Sequence, residues 1–462
     1  MENNAPYDLV VIGTGSANTI LDERFETWRI AIVERDVFGG TCLNRGCIPS
    51  KMLIYPADVI MEIRRLDTLG VDASVDRIRW PDIRDRTFGR IDAIAAGGEE
   101  YRRGQAHIDV ISGDARFIGH KELSITAPDG TVTEVRGDRF LLAAGARATL
   151  PDIPGLEDVG AHTSDTIMRI DEVPRRLGVI GGGYIAVEQA HLWEAFGSEV
   201  HMFVRRQTLL AEEDVDVSER ISQISAERFD MHYGAQVIAV GRSSNGILVS
   251  TESTDGSTGT TEVDQLLVAT GRTPNGDQLG VEATGVELDG SGLVITDDHL
   301  RCGVEGIYAL GDIRAKEQLK HLANHEARVV QHNLLHPDEL IAIDERAVPH
   351  AVFGSPQIAS VGLTQQALER SGMDFVIGRR DFGGVAYGWA MEDTEGFVKV
   401  LVDPMTRTLL GAHVIGHQAA ILIQPLVQAM VFQQTVDAVA SHQMWPHPAL
   451  SEVIENALLD AR

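Results

Sequence analysis

From Tyr7 to Gly13 the chain runs through an unbroken apolar stretch, Leu9-Val10-Val11-Ile12, and ends in Gly13-Thr14-Gly15. A short β-branched run closed by glycine, with no polar alternation, predicts a strand buried on both faces. A second run, Ile30 to Glu34, follows about twenty residues later, and together they read as the opening of a βαβ unit. The pattern returns at Leu177 as Gly178-Val179-Ile180-Gly181-Gly182-Gly183, with Glu199 to Val204 as its next strand. Two copies of this size are a repeat of domains rather than a short-period solenoid. Between them, residues 105–145 read as short strands and turns. Leu267 to Gly271 and Gly306 to Leu310 read as further strands, separated by a Gly/Asp-rich stretch. From about residue 345 the pattern changes to strands such as Phe397–Val402 and helices such as Thr364–Ser371, the mark of a separate α+β domain.

Composition narrows the function classes. At 462 residues the chain suits about three domains. Forty basic against sixty-eight acidic residues give a formal charge of −28, which disfavours nucleic acid and anionic membranes as partners. From Thr408 to Val436 there is no Asp, Glu, Lys or Arg, but His413, His417, Gln418, Pro425 and Gln428 interrupt the apolar run. Those polar groups make a bilayer span costly, and a strand followed by a buried helix at a subunit interface fits better. Three cysteines, Cys42, Cys47 and Cys302, are too few for a disulfide-stapled secreted fold. The opening Met1-Glu2-Asn3-Asn4 shows no signal-peptide pattern, and the expected compartment is the cytoplasm.

Candidate chemistry sits in four places. In the first glycine loop, Gly13 permits the tight turn and Gly15 a close backbone approach to pyrophosphate, with Ser16 opening a helix whose N-terminus faces the phosphates. Asn18 stands where a third glycine is usual, and Glu34 is placed to accept ribose hydroxyls. The second loop, Gly181 to Ile185, leads to Glu188 on the same helix. Its following strand ends in Arg205-Arg206, and arginine suits a 2′-phosphate, so NADPH is expected over NADH. The block Gly39-Gly40-Thr41-Cys42-Leu43-Asn44-Arg45-Gly46-Cys47-Ile48-Pro49-Ser50-Lys51 puts two cysteines five apart at the start of an expected helix, whose N-terminus would favour thiolate. That spacing is too wide for a metal knuckle, and only one other cysteine exists. Near the C-terminus, His447 and Glu452 are five apart in a Pro-bracketed turn, an imidazole and carboxylate suited to acid–base work, with His447–Pro448 a candidate cis peptide.

Taken in order, these motifs resemble the class I pyridine-nucleotide disulfide oxidoreductases, the family of glutathione reductase, dihydrolipoyl dehydrogenase and mercuric reductase, over essentially the whole chain. The resemblance implies an α/β fold with two Rossmann-like dinucleotide-binding domains plus a C-terminal α+β dimerisation domain. Residues 1–146 and 272–341 would form the FAD-binding and central domain, 147–271 the NADPH-binding domain and 342–462 the interface. Leu21-Asp22-Glu23-Arg24, Asn324 to Arg328 and Val385 to Asp393 further resemble the branch acting on mycothione, a neutral sugar conjugate.

The resemblance also implies roles. Gly13, Gly15, Ser16, Glu34, Gly40, Thr41, Ala144, Gly145, Gly271, Arg272 and Asp312 would line FAD and its surroundings. Gly181, Gly183, Tyr184, Ile185, Arg205 and Arg206 would hold NADPH, with Tyr184 covering the nicotinamide pocket. Lys51 and Glu188 would pair near the flavin. Cys47 would be the flavin-side thiol and Cys42 the thiol that attacks substrate. His447 and Glu452 would act on the cysteines of a partner subunit in a homodimer. The C-terminus lacks the extra cysteines of mercuric and large thioredoxin reductases. Dihydrolipoyl dehydrogenase, glutathione reductase and a non-catalytic flavin-binding redox sensor stand as alternatives.

Overall fold

In the computed structural model of the chain, which describes residues 5–462, the strand Leu9–Ile12 is central to a five-stranded sheet. The sequence reading of residues 1–4 lies outside the described residues. The sheet order is Ile307–Ala309, Phe140–Leu142, Leu9–Ile12, Ile30–Glu34, Ile108–Ser112, and all neighbours are parallel. Alternation along each strand sends side chains to two cores. Val10, Ile12, Ala31 and Val33 pack with Phe117, Leu123, Ile125 and Val135 from an antiparallel three-stranded sheet over residues 114–136. Leu9, Val11, Ile30 and Ile32 pack on the other face with Ile20, Phe25, Val329 and Val330. Burial on both faces is why these strands carry no polar alternation.

The chain divides into two compact units. One joins residues 1–50, 83–149 and 272–344, and the other joins 51–82, 150–271 and 345–462. The second unit contains a four-stranded parallel sheet in the order Asp230–Tyr233, Glu199–Val204, Arg176–Ile180, Gln265–Val268. It also contains a five-stranded antiparallel sheet, with Phe397–Val402 and Leu409–Gly416 buried at its centre. Helices including Gln424–Val431 and Glu452–Asp460 contribute apolar side chains to the core of that sheet. The charge-poor segment from Thr408 is therefore a strand and short helices of this domain. No helix among the described residues is long and apolar enough to cross a membrane.

One buried ion pair ties the parallel sheet's crossover helix, Val215–Arg228, to the antiparallel sheet. Asp214 caps the helix, and Lys399 reaches it at 2.7 Å with both side chains wholly buried.

Candidate functional site

The first glycine loop turns because Gly13 has φ +100°, and a Cβ there would stand 2.3 Å from the Ala143 carbonyl oxygen. Only glycine fits such a turn and such a neighbour. Around Gly15 a Cβ would meet nothing within 4 Å, so that backbone faces open space. Gly40 comes against it: a Cβ on Gly40 would lie 2.7 Å from the Gly15 Cα. Thr14 locks the corner. Its N–H and hydroxyl both donate to Glu34 Oε2, at 3.0 and 2.6 Å, and its hydroxyl accepts from Gly39 N–H at 2.9 Å. Two glycine backbones in contact beside an open face make a cradle that a bound pyrophosphate fits.

The helix expected after this loop is different in form. Ser16–Ile20 is a five-residue 3₁₀ helix, not an α-helix. Arg102 supplies the reason: its guanidinium donates to Asn18 Oδ1 at 2.8 Å, to the Asn18 carbonyl at 2.7 Å and to the Leu21 carbonyl at 3.1 Å. A cation thus takes carbonyls that an α-helix would have used internally. Asn18, unlike a glycine, gives that cation a side-chain acceptor.

Asp312 lies one turn beyond the strand Ile307–Ala309, in the 3₁₀ turn Gly311–Ile313. Burial raises its carboxyl above the usual range, against the pull of Arg272 and Lys320. Glu326, fully buried, holds this turn by accepting from the Gly311 N–H and from Arg314. Arg272 donates to the Ala146 carbonyl at 2.5 Å. Ala144 accepts from the Asn275 amide at 2.8 Å, and the Gly145 carbonyl accepts from Asn275 N–H at 3.0 Å. Lys320, at the first position of the helix Lys320–Leu335, donates to Ser16 Oγ at 2.8 Å, and Ser16 also bonds Asn324 at 3.1 Å. Lys320 and Glu326 were not legible as site residues. Glu326 entered the sequence reading only within the segment Asn324 to Arg328, and on so polar a helix neither side chain stood out.

The cysteine block departs from expectation in a second way. Cys42 lies inside a short helix, Gly40–Asn44, while Cys47 opens a separate one, Cys47–Arg64. The break falls at Arg45-Gly46, and a Cβ on Gly46 would stand 3.3 Å from Cys42 Cα. The two thiols lie within hydrogen-bonding reach of each other. The Cys47 hydrogen bond, followed by burial, raises the Cys42 thiol pKa; Lys320 opposes the rise. The Cys42 thiol is thus shifted upward, opposite to the lowering expected of a helix N-terminus. The neighbouring sulfur, not the helix, dominates here. Cys302 is buried in the first unit's core, where burial pushes its thiol up and keeps it unreactive.

The second glycine loop repeats the first. Gly181 has φ +134° and a Cβ there would lie 2.3 Å from the Ala269 carbonyl oxygen, while Gly183 faces open space. A full α-helix follows, Tyr184–Ala195, with Tyr184 exposed and Ile185 half-buried at its start. From this helix Glu188 receives Lys51 Nζ at 2.8 and 2.7 Å and Phe353 N–H at 3.0 Å. Lys51 also sits 4.7 Å over the Phe353 ring. Arg205 and Arg206 follow the strand Glu199–Val204 and are exposed, with Arg206 2.9 Å from Glu212. Gly271, with φ +129°, closes the strand Gln265–Val268 after Ala269-Thr270.

His447 Nδ1 is 2.7 Å from Glu452 Oε1, and the other Glu452 oxygen accepts from Ala449 N–H at 3.1 Å. The hydrogen bond with His447 holds the Glu452 carboxyl below its usual range, so it is an anion that orients the imidazole. Glu452 is the first residue of the helix Glu452–Asp460, where a carboxylate also meets the positive end of the dipole. The His447–Pro448 peptide is cis, and the imidazole is 71% exposed.

Comparison with known proteins agrees with this anatomy. Residues 7–328 match the family model described as pyridine nucleotide-disulphide oxidoreductase, and residues 348–458 match the dimerisation domain of the same family. The chain is 45% identical to a mycothione reductase of Mycobacterium tuberculosis, over 99% of each chain. It is 33% identical to a dihydrolipoyl dehydrogenase of Haloferax volcanii, over 98% of this chain and 96% of that one. Among solved structures, the Cu(II) complex of the HOCl-induced flavoprotein disulfide reductase RclA from Escherichia coli matches with a TM-score of 0.86 at 27% identity, covering 98% of this chain and 99% of that one. With both parts of the family architecture present and a cysteine pair in contact, the chain belongs to the pyridine nucleotide-disulphide oxidoreductases and is an enzyme of that family.

Proposed function

We propose that this enzyme is an NADPH-dependent FAD protein that reduces a low-molecular-weight disulfide, mycothione, to its thiol, mycothiol. The hydrogen-bonded Cys42–Cys47 pair carries the disulfide chemistry. The relative named mycothione reductase, matched end to end at 45% identity, supports the substrate. The arginines at 205 and 206 support NADPH, since both are exposed and follow the second strand of their fold. The residues around Gly13, Gly15 and Glu34 fit FAD, and those around Gly181 and Gly183 fit NADPH. Residues 1–146 with 272–341, 147–271 and 342–462 serve as flavin and central, nicotinamide and interface domains.

FAD, when bound, passes an electron pair from NADPH to the cysteine pair. The chain's own residues do the rest. Cys42 gives its proton to His447 and, as thiolate, attacks one sulfur of the substrate disulfide and forms a mixed disulfide. The departing sulfur takes a proton held at His447 and leaves as the first thiol. Cys47 then attacks the Cys42 sulfur, closes the Cys42–Cys47 disulfide and expels the second thiol, which is protonated in turn. Glu452 keeps the imidazole oriented through both transfers. Lys51 and Glu188 hold each other in an ion pair at 2.7 Å.

The enzyme works as a cytoplasmic homodimer, with His447 of one subunit serving the cysteines of its partner. The dimerisation-domain match, the exposed imidazole and the exposed apolar Tyr55, Ile421, Phe432 and Met444 support this arrangement. The test is NADPH oxidation by the purified yellow protein with mycothione, glutathione disulfide and lipoamide side by side, repeated with NADH. Turnover of mycothione with NADPH, and little with the other pairs, is expected. Preference for lipoamide with NADH overturns the reading.

A further inference from the structure

The parallel sheet of the second unit carries a polar cluster that the proposed reaction does not use. His201 pairs in register with Asp230, and Phe203 pairs with His232, on neighbouring parallel strands. Alternate residues of a strand share a face. Glu199, His201 and Phe203 therefore stand beside Asp230 and His232 on one side of the sheet. His201 Nδ1 lies 2.8 Å from Asp230 Oδ2, and His232 Nε2 lies 3.5 Å from the same oxygen. Glu199 Oε1 is 3.4 Å from His201 Nε2. One donor atom from each of His201, Asp230 and His232 falls within 4.8 Å of the other two.

Two observations distinguish this from an ordinary His–Asp hydrogen bond. His232 Nε2 is buried and makes no hydrogen bond, whereas a buried polar atom normally has a partner. The His232 ring is also stacked on Phe203, with centroids 4.8 Å apart and planes 18° apart, which fixes where that nitrogen points. The Asp230 carboxylate satisfies one imidazole and leaves the second facing it.

We propose that His201, Asp230 and His232 form a three-donor binding site for a divalent transition-metal cation of the zinc(II) class, with the remaining position left to water. Two imidazole nitrogens and a carboxylate suit zinc(II), while calcium and magnesium take oxygen donors. Donors around tetrahedral zinc, at bond lengths of about 2.0–2.1 Å, stand about 3.3 Å apart. The observed 2.8 and 3.5 Å spacings reach that with small side-chain adjustments. Asp230 opens the edge strand and Glu199 opens its neighbour. Nucleotides bind at the carboxyl ends of such strands, so the cation fastens the edge strand at the other end of the sheet.

Cobalt(II) is the probe, titrated into oxidised, flavin-loaded enzyme so that Cys42–Cys47 is closed as a disulfide and offers no thiolate. A single equivalent per chain, with the visible d–d absorption of a low-coordinate nitrogen–oxygen site and displacement by zinc(II), is expected. His232→Gln should weaken binding by about 10-fold or more, and Asp230→Asn, at an exposed position, should do the same. His447→Gln should leave it unchanged. Equal cobalt affinity in wild type and His232→Gln, or loss of binding in His447→Gln, overturns the site.

Discussion

The strand-to-glycine turn occurs twice, at Gly13 and at Gly181, and the two copies diverge immediately afterwards. Each glycine brings its Cα against an alanine carbonyl, Ala143 or Ala269, with the same 2.3 Å that a Cβ would leave. Beyond the turn, the first copy has a 3₁₀ helix of five residues and the second an α-helix of twelve. The crossovers to the edge strands differ more. In the first, residues 35–107 contain both cysteine-bearing helices and the helix Trp80–Arg103. In the second, residues 205–229 contain only Val215–Arg228. The turn geometry decides where a nucleotide backbone can approach, and the crossover decides what chemistry is attached to it.

The sharpest way to break this comparison is to place a Cβ in each turn. Gly13→Ala should cost about 3 kcal/mol or more, roughly 100-fold in cofactor affinity, and yield colourless protein. Gly181→Ala should keep the yellow flavin but lose NADPH-dependent bleaching to a similar degree. Flavin absorbance and anaerobic NADPH reduction read the two outcomes, and a colourless Gly181→Ala protein would show that the copies are not independent.

A second variant probes what anchors the short crossover. Asp214→Ala leaves Lys399 buried, with Asp216 at 3.0 Å as its remaining carboxylate, and should destabilise the fold by about 3 kcal/mol at neutral pH. Burial pushes the Asp214 carboxyl up, but His413 and Lys399 pull it further down, so its folded value is depressed. Its contribution is present above the ordinary value of about 3.9 and is lost as pH falls through the lower folded value. Urea denaturation of wild type and variant should therefore differ at neutral pH, with the gap narrowing only below about pH 4 and closing below the depressed Asp214 value. A gap that persists in acid would assign the loss to packing.

The smallest effect belongs to Arg102→Ala. It removes three hydrogen bonds from the first loop and should cost about 1–2 kcal/mol in flavin retention on heating, with no change in nicotinamide preference. Unchanged retention would mean that the 3₁₀ turn holds without its cation.

Much of this anatomy was legible because it is local. Leu9–Ile12 and Arg176–Ile180 announce themselves by apolar runs ending at glycine, and His447 and Glu452 meet because five residues span a turn entering a helix. What was not legible is long-range. Nothing near Asn18 reveals that Arg102 will take its carbonyl and turn the helix into 3₁₀ form. Lys320 comes from a distant helix to both Ser16 and the neighbourhood of Cys42. The upward shift of Cys42 was not legible because the block reads as one helix start, while the chain breaks at Arg45-Gly46 and the two sulfurs meet.

The contact between Gly15 and Gly40 couples two loops mechanically. The loop proposed to receive a phosphate and the loop that leads into the thiols rest directly on each other, so a shift in one is felt in the other. A side chain on Gly40 would press on the Gly15 backbone and disturb both loops at once.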